Sequence, residues 1–203
     1  MMATFAYIGS RLMAIDFIPI HLVKSMSQRT LVNEWSRLSG KRRFPPIAEF
    51  KLDTRAHDPH QLVVWTVGTD NGLRKFQTRY VGKHATEASE LASAGKTMDE
   101  IAPEPLKQFA LETTNECATS GCAVYTILST LDASGNQVDL ERLLLPFGRD
   151  DSLVEVILAS LQLISFKGAV DRRNVVREFE TQSRVSLAGR IGSLSAQHTV
   201  GGA

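Results

Sequence analysis

The run Asp70-Asn71-Gly72 constrains this chain more than any other feature, because Asn and Gly accept the positive φ that a tight connection between two strands demands. Before it, Leu62 to Val67 is β-branched and aromatic around Trp65; after it, Arg74 to Val81 alternates. The pattern predicts a hairpin with Phe76, Thr78 and Tyr80 on one face and Lys75, Gln77 and Arg79 on the other. Later apolar runs extend the same logic. Tyr125, Ile127 and Leu131 alternate with polar residues, the chain turns over 132–136, and Val138 to Phe147 returns. Pro146 near the end of that return is tolerable only at a sheet edge or a strand end, because it has no N–H to donate. The last run, Leu153 to Phe166, fits helix or strand by period, and its Val154, Val156, Ile157 and Ile164 favour strand.

Helical signals flank and separate these strands. Ser27 suits a helix N-cap, Leu31, Trp35 and Leu38 recur at intervals of four and three, and Gly40 stands where a C′ glycine belongs. The basic triplet Lys41-Arg42-Arg43 then reads as a solvated helix end. His84 to Ser93 is rich in Ala and Glu, Met98 and Ile101 suit a short turn of helix, and Leu106, Phe109, Ala110, Thr113 and Cys117 form one apolar stripe after Pro103. The order is one helix, two strands, short helices, then three strands. Hairpin-length links imply antiparallel pairing, hence an α+β sheet with the helices gathered on one face.

The folded domain is expected to span residues 27–166. Residues 1–26 read as a poorly ordered N-terminal extension. Residues 167–203 read as a tail with a possible short helix over Arg172–Arg184; beyond Leu187 large apolar residues become too few to offset the ordering entropy. A formal net charge of +1 provides no field that would attract a polyanion, which argues against nucleic acid as a partner. Cys117 and Cys122 are too few for a disulfide framework, which fits a reduced, cytoplasmic setting. No stretch approaches the roughly 20 apolar residues of a membrane span.

Four segments carry a resemblance to a known family: Trp35 in the entry helix, Phe76-Gln-Thr-Arg79-Tyr80-Val81-Gly82, Gly95-Lys-Thr-Met98-Asp99-Glu100-Ile101, and Glu141-Arg142-Leu143-Leu144-Leu145-Pro146-Phe147. The last is the most specific. Over roughly residues 30–165 the chain resembles the stand-alone PAS-like proteins found widely in alphaproteobacteria. The resemblance implies a five-stranded antiparallel sheet curled around a small pocket, short helices on one face, and an N-terminal amphipathic helix. It also implies a sensory or interaction module of signal transduction, acting in trans on another protein.

On such a sheet Trp65, Tyr80, Tyr125 and Arg142 would line the concave face, a set suited to a small flat or anionic ligand. Arg142 is the sharpest of them. Leu140 and Leu144 share its face, so an inward guanidinium must find a carboxylate or a ligand, while alternation sends Glu141 to the opposite face. Leu31, Trp35 and Leu38 could pack on a partner, on a second copy in a homodimer, or on their own domain. His57-Asp58-Pro59-His60 has metal-like spacing but lacks a full ligand set and reads as an exposed loop. Haem has only His84 as a nearby axial candidate, so no cofactor or metal is assigned. No nucleophile elbow, phosphate loop or metalloprotease motif is present. The expectation is therefore a non-catalytic module that binds a small molecule or a partner, with a small enzyme or a ligand-free dimerisation scaffold as the alternatives.

Overall fold

In the computed structural model the described residues are 15–54, 57–84, 86, 95–102, 106–131, 135–165 and 183–192. The hairpin forms as its turn demands: β2 (Leu62–Asp70) and β3 (Leu73–Val81) pair antiparallel, joined through Asn71 and Gly72 at φ 49° and 77°. Two positive φ values in succession match the strand twist, which is why Asn-Gly is favoured there. The other main strands are β4 (Val124–Leu131), β5 (Gln137–Phe147), β6 (Val156–Ser165) and β7 (Arg184–Ile191), and β1 is the short Phe17–Ile18. Their order across the sheet is β1-β7-β4-β5-β6-β2-β3. All neighbours pair antiparallel except β1 and β7, which run parallel.

The expected five-stranded, wholly antiparallel PAS-like sheet is thus overturned by a seven-stranded mixed one, although sheet plus helices remains α+β. The added strands come from stretches placed outside the domain on sequence. β4 would otherwise be an edge with unpaired N–H and C=O groups; β7 satisfies them from Val124↔Arg190 to Ser129↔Arg184. Gly189 then lets β1 close in, since a Cβ there would lie 2.4 Å from the Ile18 side chain. The possible helix over Arg172–Arg184 falls almost wholly outside the described residues, as does most of the Ala-rich stretch His84–Ser93. At the opposite side of the sheet, Gly95–Thr97 lies along β3, with Thr78 N donating to Lys96 O at 2.9 Å.

A second correction concerns the helices, which cover both faces rather than one. The long helices are α1 (Met26–Ser39) and α3 (Leu106–Ser120), with the single turn α2 (Met98–Ile101) before α3. Lys24 and Ser25, at the start of α1, bond the Asp139 and Glu141 side chains, whereas α3 meets Arg142 through Thr113. Successive strand residues point to opposite faces, so the two helices sandwich β5. Its interior from Glu141 to Phe147 is buried without interruption, the signature of a strand covered on both sides.

Local signals hold within one or two residues. The α1 N-cap is Ser25, two residues earlier than expected, its hydroxyl accepting from Gln28 N at 3.3 Å. Gly40 ends the helix at φ 59°. Leu31 and Trp35 are buried on the protein's own sheet, and Trp35 Nε1 donates to Pro146 O at 2.7 Å. Pro146 is tolerated because β4 has already ended opposite Leu144, so no neighbour on that side needs its missing N–H. Arg43 is exposed, as expected of a solvated helix end, and its guanidinium also donates to Thr119 O and Ser120 O, carbonyls at the end of α3. No helix among the described residues is long and apolar enough to cross a membrane.

Candidate functional site

β5 presents two different polar chemistries on its two faces, set by successive residues. Arg142 faces α3, in register with Thr126 and Leu161, and only 8% of its surface reaches solvent. Its guanidinium donates to the Thr113 hydroxyl and lies 5.9 Å over the Phe109 ring. Thr113 can accept because its own proton goes to Phe109 O at 2.7 Å. Among the described residues Arg142 makes no ion pair, and burial lowers its pKa to about 10, opposed only by the neighbouring Cys117. It therefore carries a full charge at neutral pH inside apolar walls, an arrangement that costs several kcal/mol unless an anion shares it. Around it stands a small cluster separate from the main core. Phe109 and Leu128 are buried there, while Leu106, Leu140 and Leu163 stay partly open.

The α1 face is acidic. Glu141 is fully buried and accepts from Ser25 N at 3.2 Å. Burial holds its carboxyl above the ordinary glutamate range, against hydrogen bonds from Tyr125 and Ser25. Asp139, one turn of the pleat away, would also be pushed up by burial, but Lys24 Nζ at 2.7 Å, Gln137 at 3.0 Å and Ser129 at 2.7 Å hold it below the ordinary range. Tyr125 accepts from Lys24 N at 3.2 Å, and burial pushes its phenol up.

These opposed shifts give a pH dependence with two arms. A lowered folded pKa means that Asp139 contributes stability above its unfolded value and loses it as pH falls through the folded one. A raised folded pKa means the reverse for Glu141, whose contribution is present below its unfolded value and lost as pH rises through the folded one. Glu141→Gln is therefore expected to remove the part of the stability loss that sets in as pH rises above the ordinary glutamate range. Asp139→Asn should cost about 2 kcal/mol at neutral pH by weakening charge-assisted bonds. Chemical denaturation from about pH 4 to neutral pH reads both; equal pH profiles for wild type and Glu141→Gln would contradict the assignment.

The four residues expected to share one pocket do not converge. Tyr125 is in register with Leu143, one residue from Arg142, so the two occupy opposite faces. Trp65 is buried on the Arg142 face but aligns with Ile157, while Arg142 aligns with Leu161. Tyr80 is 41% exposed and donates to Pro59 O at 3.1 Å. The cause is a bulge: Val64 pairs with Tyr80 but Trp65 with Thr78, leaving Arg79 as the extra residue and turning Tyr80 to the far face. Of the helix residues, Leu31 and Trp35 are spent on the core and Leu38 is half-buried, so that face is not available for a homodimer.

The histidine cluster also departs from expectation. His57 is buried, with Nε2 3.8 Å from Glu34, and burial lowers its pKa against Glu34 and Asp53. His60 stays at the surface, its ring 5.6 Å from that of His84, which meets Asp58 at 3.4 Å. Among the described residues no group of three or more His, Cys, Asp or Glu could hold a metal ion. A groove of about 480 Å³ lies beside the β2–β3 hairpin, but its Lys75 and Asp99 neutralise each other at 2.9 Å. Thr113 and Phe109, which complete the Arg142 site, were visible only as part of an apolar helix stripe. Compared with family models, curated proteins and solved structures, the chain matches none.

Proposed function

We propose that this chain is a non-catalytic binding module of signal transduction, akin to the stand-alone PAS-like proteins its Glu141–Phe147 segment resembles, which takes up a small anion on Arg142. The observation that carries this reading is a buried guanidinium whose one hydrogen-bonding partner among the described residues is the Thr113 hydroxyl. Elsewhere Arg42 and Arg149, both at the surface, each have a glutamate within 2.8 Å. Arg142, the arginine buried most deeply among the described residues, has no such carboxylate among them.

A route outward supports an action in trans. Arg142 and Glu141 are successive residues of β5, and Glu141 holds the Ser25 amide at the start of α1. An anion that draws Arg142 into a new arrangement biases the strand on which α1 is seated, and α1 exposes Asn33, Ser36 and Arg37 to a partner. No reacting group is needed for this, and Cys117, whose thiol burial pushes well up, is not a nucleophile here.

Thermal unfolding with millimolar carboxylates or phosphate tests the reading. Wild type is expected to gain stability with at least one anion, by about 2.7 kcal/mol at a hundredfold excess over Kd. Arg142→Met is expected to gain nothing, while its ligand-free stability equals or exceeds wild type because a buried charge has been removed. An unchanged anion response in Arg142→Met would contradict the proposal; a concentration-dependent dimer indifferent to anions would favour a scaffold instead.

A further inference from the structure

We infer that the ligand of the Arg142 site is a monocarboxylate with an apolar body, its carboxylate on the guanidinium and its hydrocarbon among Phe109, Leu128, Leu140 and Leu163. This rests on the reading just proposed. The guanidinium meets the Thr113 hydroxyl, the buried and unpartnered Thr126 hydroxyl stands in register beside it, and no second cation is hydrogen-bonded there among the described residues. A single negative charge is neutralised by that set, whereas a dianion would keep an uncompensated charge against apolar walls. The planar fork of arginine also matches both oxygens of a carboxylate.

The shape of the surroundings supplies the rest. Next to the guanidinium lies an apolar cluster set apart from the main core, in which Leu140 and Leu163 are only partly covered. Leu140 precedes Arg142 by two residues in β5 and so shares its face, and Leu163 is the register partner of Leu140 on β6. Incompletely buried leucines beside a desolvated cation form an amphipathic acceptor: one charged end and one hydrocarbon wall. A monocarboxylate with a hydrocarbon chain completes both at once.

Isothermal titration of the full chain with acetate, butyrate, hexanoate, inorganic phosphate and hexanol tests this. Affinity is expected to rise about fourfold per methylene from acetate to hexanoate, with phosphate and hexanol at least tenfold weaker than hexanoate. Leu140→Gln should flatten the chain-length gain, so that hexanoate binds no more than about twofold tighter than acetate; Arg142→Met should abolish binding of every acid. If Arg142→Met fails to fold, Leu140→Gln carries the test alone. Phosphate binding as tightly as hexanoate, with no chain-length effect, overturns the monocarboxylate class and leaves the anion reading standing. Hexanol matching hexanoate overturns the role of the charge, and no binding by any of the anions overturns both proposals.

Discussion

Trp35→Ala is expected to destabilise the isolated protein by about 3–5 kcal/mol, the range for emptying a buried tryptophan site. The indole is buried between α1 and β5, and its Nε1 donates to Pro146 O at 2.7 Å. Truncation therefore opens a cavity and also leaves that carbonyl without its donor. Arg37→Ala, on the exposed side of the same helix, should change stability by less than about 0.5 kcal/mol. Urea denaturation of both variants decides whether α1 is an integral layer or a free adhesive surface. A small effect of Trp35→Ala on the isolated chain, coupled to loss of a dimer, would show the helix facing a second copy instead.

Gly82→Ala should be nearly as severe, at about 3 kcal/mol, the upper end of the usual overpacking cost. A Cβ at this position would lie 2.4 Å from His60 O and 2.5 Å from Pro59 O, both backbone atoms that cannot rotate away. The strand end and the 3-10 turn at Pro59–Gln61 pack that closely because Gly82 N donates to Leu62 O at 2.7 Å. Gly68, in the middle of β2, has nothing within 4 Å of its virtual Cβ, so Gly68→Ala should be neutral or slightly stabilising in the same urea titration. Equal behaviour of the two alanine variants would mean that the 59–61 turn does not press on β3.

Much of this architecture was written in local chemistry. Asn71-Gly72 specified the β2–β3 connection because few other pairs accept two left-handed residues in a row. The stripe through Phe109, Thr113 and Cys117 identified the buried side of α3, and Arg142 was recognisable as an inward charge because Leu140 and Leu144 share its side of β5. What escaped was information that resides between elements. The strand β7 interrupts Val185, Leu187 and Ile191 with Ser186, Gly189 and Arg190, so its own run is a weak strand signal; it is completed by pairing with the waiting edge of β4. Alternation says that Tyr125 has a face but not which one. Its separation from Arg142 depends on the register that pairs it with Leu143.

A single bulge residue, Arg79, turned Tyr80 outward, and nothing in an alternating run announces a bulge. Asp139 and Glu141 look like the solvent side of a strand, yet α1 covers them and Lys24 and Ser25 serve them. The one clue was the unbroken Leu143-Leu144-Leu145, since three successive apolar residues cannot all face one side of a sheet. The same fact places Arg142 and Glu141 back to back, which is the basis of the proposed signal from ligand to α1.

The most direct measurement is a titration of the 15N-labelled full chain with hexanoate, following arginine side-chain Nε–H signals, with Arg142 assigned by its absence in Arg142→Met. The Arg142 signal is expected to be shielded from water exchange before ligand is added and to shift saturably, while Arg42 and Arg149 at the surface do not move. An Arg142 signal that exchanges as freely as those two, or that stays in place at saturating hexanoate, would contradict the proposed Arg142 site.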